Sequence, residues 1–585
     1  MVILNYTRSV AYSYYLIIIL SVYKHSLKMG ACFSFVLLTS FRIMLTLNKR
    51  GQKFLFINLG DLNSLRIEIS FMLDIFTRVF LLTVSLISLA VFTFSFRYMR
   101  PQKFFGRFHV LLMTFVISII LLIISSNLIF TLVGWDGLGV SSYLLVIYYG
   151  STKSYNAGML TVMTNRFGDV LLLMRIGILL NIGSWSILLY KEFLYVDSVL
   201  KILLITGSFT KRAQIPFRAW LPAAIAAPTP VSSLVHSSTL VTAGVYLIFR
   251  HFYEAGDTAE SFIVIFIGLS TITLASLSAL NEKDIKKMVA LSTLSQLGLI
   301  ILSIGTGWVF IAFFHLVTHA FFKAIIFIRV GNIIHSRQLY QSIKNTGMIL
   351  FSSPFNSSTI ILARASLCGT PFTAAFFSKE PIIEINIYNN RTLGIITFTL
   401  LSLIITLLYS SRLIKMVLVY FNTMTPKTHI CEGDTSLNKG IFLLSLPSFS
   451  RGSIIARLLY LKPTNFTYNL RVKIFIFSSF FIIFCLLIIK NYPVINSGLV
   501  YLFPIWGLRL FSGSVFNGLT FYASFNLKAS GFSRPLSLFN RLRIIRLIRF
   551  SSLYSRYIIY RIIVSIPFFY ILFNILYYKL LRQNS

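Results

Sequence analysis

The sequence predicts an all-α, polytopic membrane protein, and three observations support this fold class. Hydrophobic residues make up 56% of the 585 residues, whereas charged residues make up only 12%. A soluble chain of this length would form several domains, and this chain has too few polar residues to cover their surfaces. Apolar runs of about 20 residues, the length that crosses a bilayer core as a helix, recur along the chain. A β-barrel would instead show short segments of alternating polarity.

The apolar runs predict about sixteen transmembrane helices. They lie near residues 10–23, 31–47, 70–96, 108–126, 127–149, 157–181, 199–225, 229–250, 261–280, 287–306, 308–334, 349–375, 393–421, 438–460, 472–490 and 560–580. Outside the central helices, residues 1–107 form an N-terminal group, 422–500 contain additional transmembrane helices and 501–585 form a C-terminal region.

The charge of the chain is strongly positive, with 53 Lys and Arg against 16 Asp and Glu. In a soluble protein this excess would suggest nucleic acid as a partner. In a membrane protein, basic loops orient the helices and contact anionic lipids. We therefore expect lipid contacts, with cardiolipin as the candidate lipid, and no nucleic acid.

The sequence offers no recognisable cofactor site. The four cysteines, at positions 32, 368, 431 and 485, form no CxxC pair, which argues against an iron–sulfur or zinc site. Neither a GxGxxG nor a GxxxxGK motif is present. We expect no metal, flavin, nicotinamide or nucleotide to be bound by this chain.

The stretch FFHLVTHAFFKAIIF, residues 313–327, places three titratable groups in an apolar segment. His315, His319 and Lys323 advance by four residues, so they share one helix face over about 12 Å. Groups that exchange protons at this spacing suit a relay bridged by water. The alternative is a stripe of core polar residues that are hydrogen-bonded to neighbouring helices. A metal site is disfavoured, because lysine is a poor ligand and the span contains no Asp, Glu or Cys.

Two acidic residues lie in the preceding apolar spans. Asp136 is the only charged residue of LIFTLVGWDGLGVSSYLLVIYY, 128–149, and needs either a cationic partner or a raised proton affinity. In NRFGD, Arg166 and Asp169 are three residues apart and can pair on one helix face. A local structural ion pair and a functional role are equally compatible with this spacing. Arg175 lies deeper, where it snorkels or faces another subunit.

Two apolar half-spans end in a break beside a lysine. Lys211 is followed by Pro216 and Pro222, and His236 lies within the next span. Proline interrupts a helix, and broken helices at membrane depth are tolerated where they line a polar cavity. A lysine at such a break can release its proton, because burial disfavours the charged form. If Arg212 marks the membrane interface, Lys211 lies at a shallower depth.

The second break lies in SLCGTPFTAAFFSKEPII, residues 366–383, where Lys379 and Glu380 follow Gly369 and Pro371. Two broken elements in corresponding places are typical of transporters built from repeats.

These motifs together resemble the subunit 5 family of mitochondrial respiratory complex I. The blocks GWDGLGVSSYLL, NRFGD, KRAQIPFRAWLPAAIAAPTPVSSLVHSSTLVTAGVYL, EKDIKKMVALSTLSQLGL, FFHLVTHAFFKAIIF and GTPFTAAFFSKE occur in the order that the family has. The resemblance covers residues 70–420 well. The two ends of the chain match the family only in the type of segment. It implies two inverted five-helix, antiporter-like repeats, 108–250 and 260–421, each with a discontinuous helix. It also implies that the family's homology to cation/proton antiporter subunits extends to this chain.

The resemblance also implies roles in proton translocation. Asp136 takes the place of a channel acid that is often Glu, and Asp169 matches an acid that modulates the first lysine. The matching basic groups are Lys211 in the first broken helix, His236, His319 and Lys323 in the centre, extended by His315, and Lys379 in the second broken helix. Lysine at position 379, where subunit 4 has Glu, favours subunit 5. Arg212 departs from the usual Lys-Ser pair.

The C-terminal stretch 538–572 begins with four arginines between positions 541 and 549 among Leu and Ile. A basic helix lying at the membrane interface is the physical interpretation, and a basic surface loop is the alternative. The resemblance implies a lateral amphipathic helix along the neighbouring subunits, followed by a terminal membrane anchor.

The resemblance implies that the chain pumps protons and performs no redox chemistry itself. In this hypothesis Asp136 and Lys211 form a switchable pair, and the central groups pass the proton to Lys379. NAD, FMN, iron–sulfur clusters and ubiquinone are bound by other subunits, whose quinone reduction drives the transfer. The expected partners are the other membrane-arm subunits, especially the antiporter-like subunit 4, in the mitochondrial inner membrane. A stand-alone cation/proton antiporter subunit and a purely structural scaffold are the alternatives.

Overall fold

A computed structural model describes the central part of the chain. The described residues are 53–62, 65–180, 197–251, 259–336, 341–343, 353–371, 373–388, 393–414 and 435–449, with the single residues 452 and 478. All of them belong to the compact unit Met1–Ser514. The predicted spans near 10–23, 31–47 and 560–580 lie outside the described residues, as do the C-terminal lateral helix and, apart from residue 478, the span near 472–490.

The described chain is mostly helical and begins with one β-hairpin. The hairpin consists of β1 (Lys53–Leu62) and β2 (Leu65–Leu73). The helices are α1 (Ile75–Tyr98), α2 (Phe105–Ile124), α3 (Leu128–Val146), α4 (Thr152–Leu180), α5 (Asp197–Lys211), α6 (Trp220–Ala224), α7 (Thr229–His251), α8 (Ala259–Asn281), α9 (Ile285–Gly305), α10 (Val309–Ser336), α11 (Pro354–Cys368), α12 (Phe376–Tyr388), α13 (Leu393–Ile414) and α14 (Thr435–Phe449).

The hairpin corrects the expectation of an all-α chain. Its strands pair antiparallel, with Lys53 opposite Leu73 and an irregularity between Asn58 and Gly60. The predicted span near 70–96 therefore begins inside β2, and the helix itself begins at Ile75. In the segment LRIEISFML, apolar residues alternate with others at period two, which is the pattern of a strand. Judging this segment by overall apolarity alone hides that alternation.

Eight of the described helices are long and apolar enough to cross a membrane. Three of these, α7, α9 and α10, are wholly buried over their apolar windows, whereas α2, α3, α8 and α13 are only about half buried. The half-buried helices expose apolar residues such as Val133 and Ile263. The chain is thus a multi-pass membrane protein whose three central helices are surrounded by protein.

Both predicted breaks are confirmed. Helix α5 ends at Lys211 and is followed by an irregular segment before the short α6. Helix α11 ends at Cys368, where Gly369 adopts a left-handed conformation with φ +84°, and α12 begins at Phe376. Gly369 suits this position because it has no Cβ to clash in the left-handed region. Each break places a lysine at the interruption of a helix.

Helix α7 also departs from regular α-helical geometry in its middle. Residues Ser232–Thr239 form a π-helical stretch between two α-helical ends. Ser237 donates a hydrogen bond to the Ser233 carbonyl, and Ser238 donates one to the Leu234 carbonyl at 3.0 Å. Such stretches are frequent at functional sites, and this one carries His236.

Candidate functional site

The first cluster of titratable residues surrounds Trp135 of α3. Lys211 is fully buried and donates a hydrogen bond to the Trp135 carbonyl. Its Nζ atom also lies 3.8 Å from the centre of the Trp135 ring, in cation–π geometry. The indole Nε1 in turn donates to Asp169 Oδ1 at 2.9 Å. Trp135 therefore connects the lysine of the first broken helix to the acid of α4.

Asp136 lies at the edge of this cluster. Its side chain is 36% exposed, and Oδ2 is 3.9 Å from Arg166 Nη1. The same Arg166 nitrogen is 3.3 Å from Asp169 Oδ2, so one arginine faces both acids. Within the described residues, neither carboxylate is at ion-pair distance from Lys211. In this conformation the expected partners Asp136 and Lys211 are thus not in direct contact, and Trp135 lies between Lys211 and Asp169.

Arg212 is enclosed by protein and not exposed at its surface. Its side chain is fully buried, like that of Lys211, and it donates a hydrogen bond to the Gly244 carbonyl of α7. A Cβ atom at Gly244 would lie 3.0 Å from Arg212 Cγ, so the glycine makes room for the arginine. Lys211 and Arg212 therefore point to different helices, α3 and α7, and both side chains are buried.

The close crossing of α4 and α5 positions Asp169 beside this cluster. A Cβ atom at Gly168 would lie 2.1 Å from Thr210 Oγ1 and 3.0 Å from the Gly207 carbonyl oxygen. Only glycine permits this approach, and it brings the residue that follows, Asp169, to the level of Trp135.

Gly168→Ala is expected to destabilise the protein by about 1–3 kcal/mol, because the added methyl group must push α4 and α5 apart. The measurement is the thermal unfolding midpoint of the purified protein in detergent. Gly177→Ala on the same helix is the matched control, since a Cβ there meets no atom within 4 Å. In a helix that substitution stabilises by up to about 1 kcal/mol. Equal effects of the two variants would contradict the close crossing.

His236 of α7 lies near the first break. It is buried, and its ring centre is 6.1 Å from that of Trp220, in an edge-on arrangement. Trp220 Nε1 donates to the Thr210 carbonyl at 2.8 Å, which ties this ring to the end of α5. Neither ring nitrogen of His236 has a hydrogen-bond partner among the described residues. His236 is thus placed between the first break and the centre of the protein.

The predicted stripe of α10, which we call the relay stripe, consists of His315, His319 and Lys323, all fully buried. His315 Nδ1 is 2.8 Å from Ser378 Oγ of α12. The ring centres of His315 and His319 are 6.4 Å apart. Lys323 Nζ donates to Ser292 Oγ of α9 at 2.6 Å. The three groups form one continuous row, as the spacing predicts, and its first member touches the second broken helix.

Lys379 lies in the first turn of α12, just after the second break, and its side chain reaches back to the end of α11. It is buried, and its Nζ atom lies 3.4 Å from the Leu367 carbonyl oxygen, 3.5 Å from that of Cys368 and 3.4 Å from Thr406 Oγ1. The two carbonyls belong to the C-terminal end of α11, which is the negative end of the helix dipole. The structure thus holds this ammonium group with backbone oxygens of a half-helix.

Several side chains at these sites were not predicted. They are Trp135, Ser292, Gln296, Ser378 and Thr406, all of which touch predicted groups. Polar residues inside the apolar span ALSTLSQLG were a usable signal for Ser292 and Gln296. Arg364 was also missed; it is fully buried in α11. Among the described residues, no group of three or more His, Cys, Asp or Glu could hold a metal ion.

Family descriptions match two parts of the chain. Residues 125–406 match the description "NADH:quinone oxidoreductase/Mrp antiporter, TM". Residues 59–109 match "NADH-Ubiquinone oxidoreductase (complex I), chain 5 N-terminus". Together they cover strand β2, helix α1 and both broken helices.

Curated relatives with similar sequences carry one common name. The NADH-ubiquinone oxidoreductase chain 5 of Lumbricus terrestris is 43% identical over 409 residues, which are 69% of this chain and 70% of the relative. That of Locusta migratoria is 38% identical over 475 residues, 80% of this chain and 81% of the relative.

Solved structures share the fold at low sequence identity. A chain of the Mrp complex from Dietzia sp. superposes with a TM-score of 0.71 at 20% identity, over 89% of this chain and 59% of that one. A chain of the membrane-bound sulfane sulfur reductase, an archaeal respiratory membrane complex, gives 0.66 at 21% identity over 77% and 93%. At this identity the likeness concerns the fold alone.

Proposed function

This chain belongs to the family of NADH-ubiquinone oxidoreductase chain 5, and we propose that it is a proton-translocating membrane subunit of respiratory complex I. The observation that supports this function is the row of buried titratable side chains from Lys211 through the relay stripe to Lys379. A charged side chain at mid-bilayer costs about 2.5–3.5 kcal/mol on insertion scales, so a series of them is retained for a purpose. Moving protons is a purpose that Lys and His side chains can serve.

The first step takes place around Trp135. Lys211 holds its proton while its ammonium group donates to the Trp135 carbonyl and feels the nearby acids. Arg166 can shift between Asp136 and Asp169, since it now faces both. When Arg166 neutralises the acids more fully, the field on Lys211 weakens and the lysine releases its proton. The switch then consists of four residues, because Asp169 and Trp135 act together with the pair Asp136 and Lys211.

The released proton moves through the centre to the second break. His236 receives it above the first break, and the relay stripe carries it along α10. His315 contacts Ser378, whose neighbour in sequence is Lys379. A change of charge at one group shifts the proton affinity of the next, as in any coupled titration. Lys379, held by the carbonyls of α11, is the last of the basic groups.

The order of the helices supports two repeats, 108–250 and 260–421. Helices α2, α3, α4, the broken pair α5 and α6, and α7 make up five elements. Helices α8, α9, α10, the broken pair α11 and α12, and α13 follow in the same order. We assign the two sets an inverted relation, within a chain of about sixteen transmembrane helices that ends in a lateral helix and an anchor.

The proposal extends to the surroundings of the chain. The protein lies in the mitochondrial inner membrane, next to the antiporter-like subunit 4, with cardiolipin among its lipids. It performs no redox chemistry. NAD, FMN, iron–sulfur clusters and ubiquinone belong to other subunits, and quinone reduction there drives the proton transfer.

A stand-alone cation/proton antiporter subunit is the second candidate function. The fold shared with a chain of an Mrp complex favours it. It differs from the first candidate in requiring Na⁺-dependent proton exchange without NADH.

A native gel of membranes solubilised in mild detergent separates the two functions. The gel is stained for NADH dehydrogenase activity and probed with an antibody against this chain. We expect the chain to co-migrate with a large active band. A small inactive band that persists in gentler detergents would contradict the complex I function, and Na⁺-driven pH changes in liposomes would then test the antiporter.

A further inference from the structure

Helix α9 contacts both ends of the relay stripe. Ser292 Oγ accepts a hydrogen bond from Lys323 Nζ at 2.6 Å. Gln296 Oε1 lies 3.3 Å from His315 Nε2, at hydrogen-bond distance. Ser292 and Gln296 are four residues apart and therefore share one face of α9. Both are buried, so the two contacts are made away from solvent.

The middle of the relay stripe is held differently. His319 is fully buried, and neither of its ring nitrogens has a hydrogen-bond partner in the part of the chain that the structure describes. Its ring packs edge-on against Phe322, with the ring centres 5.4 Å apart. Such packing holds neither ring nitrogen by a hydrogen bond. The two ends, by contrast, are fixed by hydrogen bonds to α9 and α12.

We propose that Ser292 and Gln296 are positioning residues that fix the two ends of the relay stripe, and that His319 is the mobile carrier between them. This inference rests on the proposed function, because it assigns parts within the same proton path. Gln296 keeps the proton of neutral His315 on Nε2 and leaves Nδ1 as the accepting nitrogen beside Ser378. Ser292 keeps the Lys323 amine on the α9 side. His319 takes up one proton at one nitrogen, gives up one from the other, and turns back.

The test uses the assembled complex in liposomes and measures protons moved per NADH oxidised. Ser292→Ala and Gln296→Leu are expected to slow transfer along the relay by up to about tenfold, the effect of one lost hydrogen bond, and so to lower this ratio. Ser292→Thr retains a hydroxyl group and is expected to retain the ratio. The amount of assembled complex is measured for each variant, so that a lower ratio can be told from a loss of assembly.

Ser303→Ala is the matched control. Ser303 is buried on the same helix, and its hydroxyl donates to the Ile300 carbonyl of its own helix at 2.8 Å. Its removal is expected to leave the proton ratio as it is. If Ser292→Ala prevents assembly, Ser292→Cys takes its place, since the thiol nearly keeps the volume and weakens the hydrogen bond.

Two further outcomes separate this inference from the proposed function. If Lys323→Met lowers the ratio while Ser292→Ala and Gln296→Leu leave it intact, α9 does not position the relay and the inference is overturned alone. If Lys323→Met leaves the ratio intact, the proposed function fails first. His319→Phe is expected to stop transfer, because phenylalanine carries no exchangeable proton. Transfer that continues in this variant would overturn the assignment of His319 as the carrier.

Discussion

Lys323→Met is expected to reduce proton transfer through this chain at least tenfold while the complex still assembles. Methionine fills the space of the lysine chain but exchanges no proton. Replacing a buried charge by an apolar group of similar size is often neutral or stabilising, so assembly should survive. The fully buried position of Lys323, with Ser292 as its hydrogen-bond partner, makes this separation of function from stability possible. Protons moved per NADH oxidised, together with the amount of assembled complex, measure the two effects.

Two companion variants sharpen this test. Lys323→Arg keeps a positive charge that cannot be given up, so it is expected to fail in pumping as the methionine variant does. Normal pumping by Lys323→Arg would mean that the site needs only a fixed charge. Lys286→Met is the matched control, because Lys286 is also buried but lies at the start of α9, away from the relay stripe. The number of protons moved per NADH oxidised by the Lys286→Met variant is expected to match that of the unaltered protein.

Arg250→Met is expected to destabilise the protein by about 3–5 kcal/mol, because it leaves the carboxylate of Asp74 buried without its partner. Arg250 forms a buried ion pair with Asp74, at the start of α1. Its Nε atom also donates to Tyr246 Oη at 2.8 Å, and Tyr246 donates to the Ile123 carbonyl at 3.1 Å. The network joins the ends of α1, α2 and α7. The thermal unfolding midpoint and the level of assembled complex report the loss.

The exposed ion pair between Asp284 and Lys287 provides the control. Its atoms are 2.9 Å apart, but the two side chains are 35% and 44% exposed. Lys287→Gln is therefore expected to cost less than about 1 kcal/mol. The double variant Asp74→Asn with Arg250→Met should recover part of the stability, since no charge then remains unpaired. Equal losses from Arg250→Met and Lys287→Gln would argue against a buried network.

The apolar runs were enough to predict the central helices, because span length and hydropathy are local properties. The breaks at Lys211 and Lys379 were predictable as well, since glycine and proline act within a few residues. The hairpin before α1 was missed because its apolar residues alternate inside a run that also looks helical by composition.

The contacts of the predicted site residues depend on neighbours distant in sequence. No local pattern indicates that the Trp135 carbonyl accepts from Lys211, which lies 76 residues further on. Nor could the sequence show that Arg212 is buried, which depends on the space that Gly244 leaves on another helix. The histidine row was predictable from spacing alone, whereas its partners on α9 required the packing of two helices.

The wholly buried position of α7 has a consequence for how the chain enters the membrane. This helix is less apolar than α2, because it carries a run of serines and threonines around His236. Such a segment gains little from lipid on its own. Its hydroxyl groups find acceptors on carbonyls of the same helix. We therefore expect α7 to leave the insertion machinery together with helices that pack on it, such as α10.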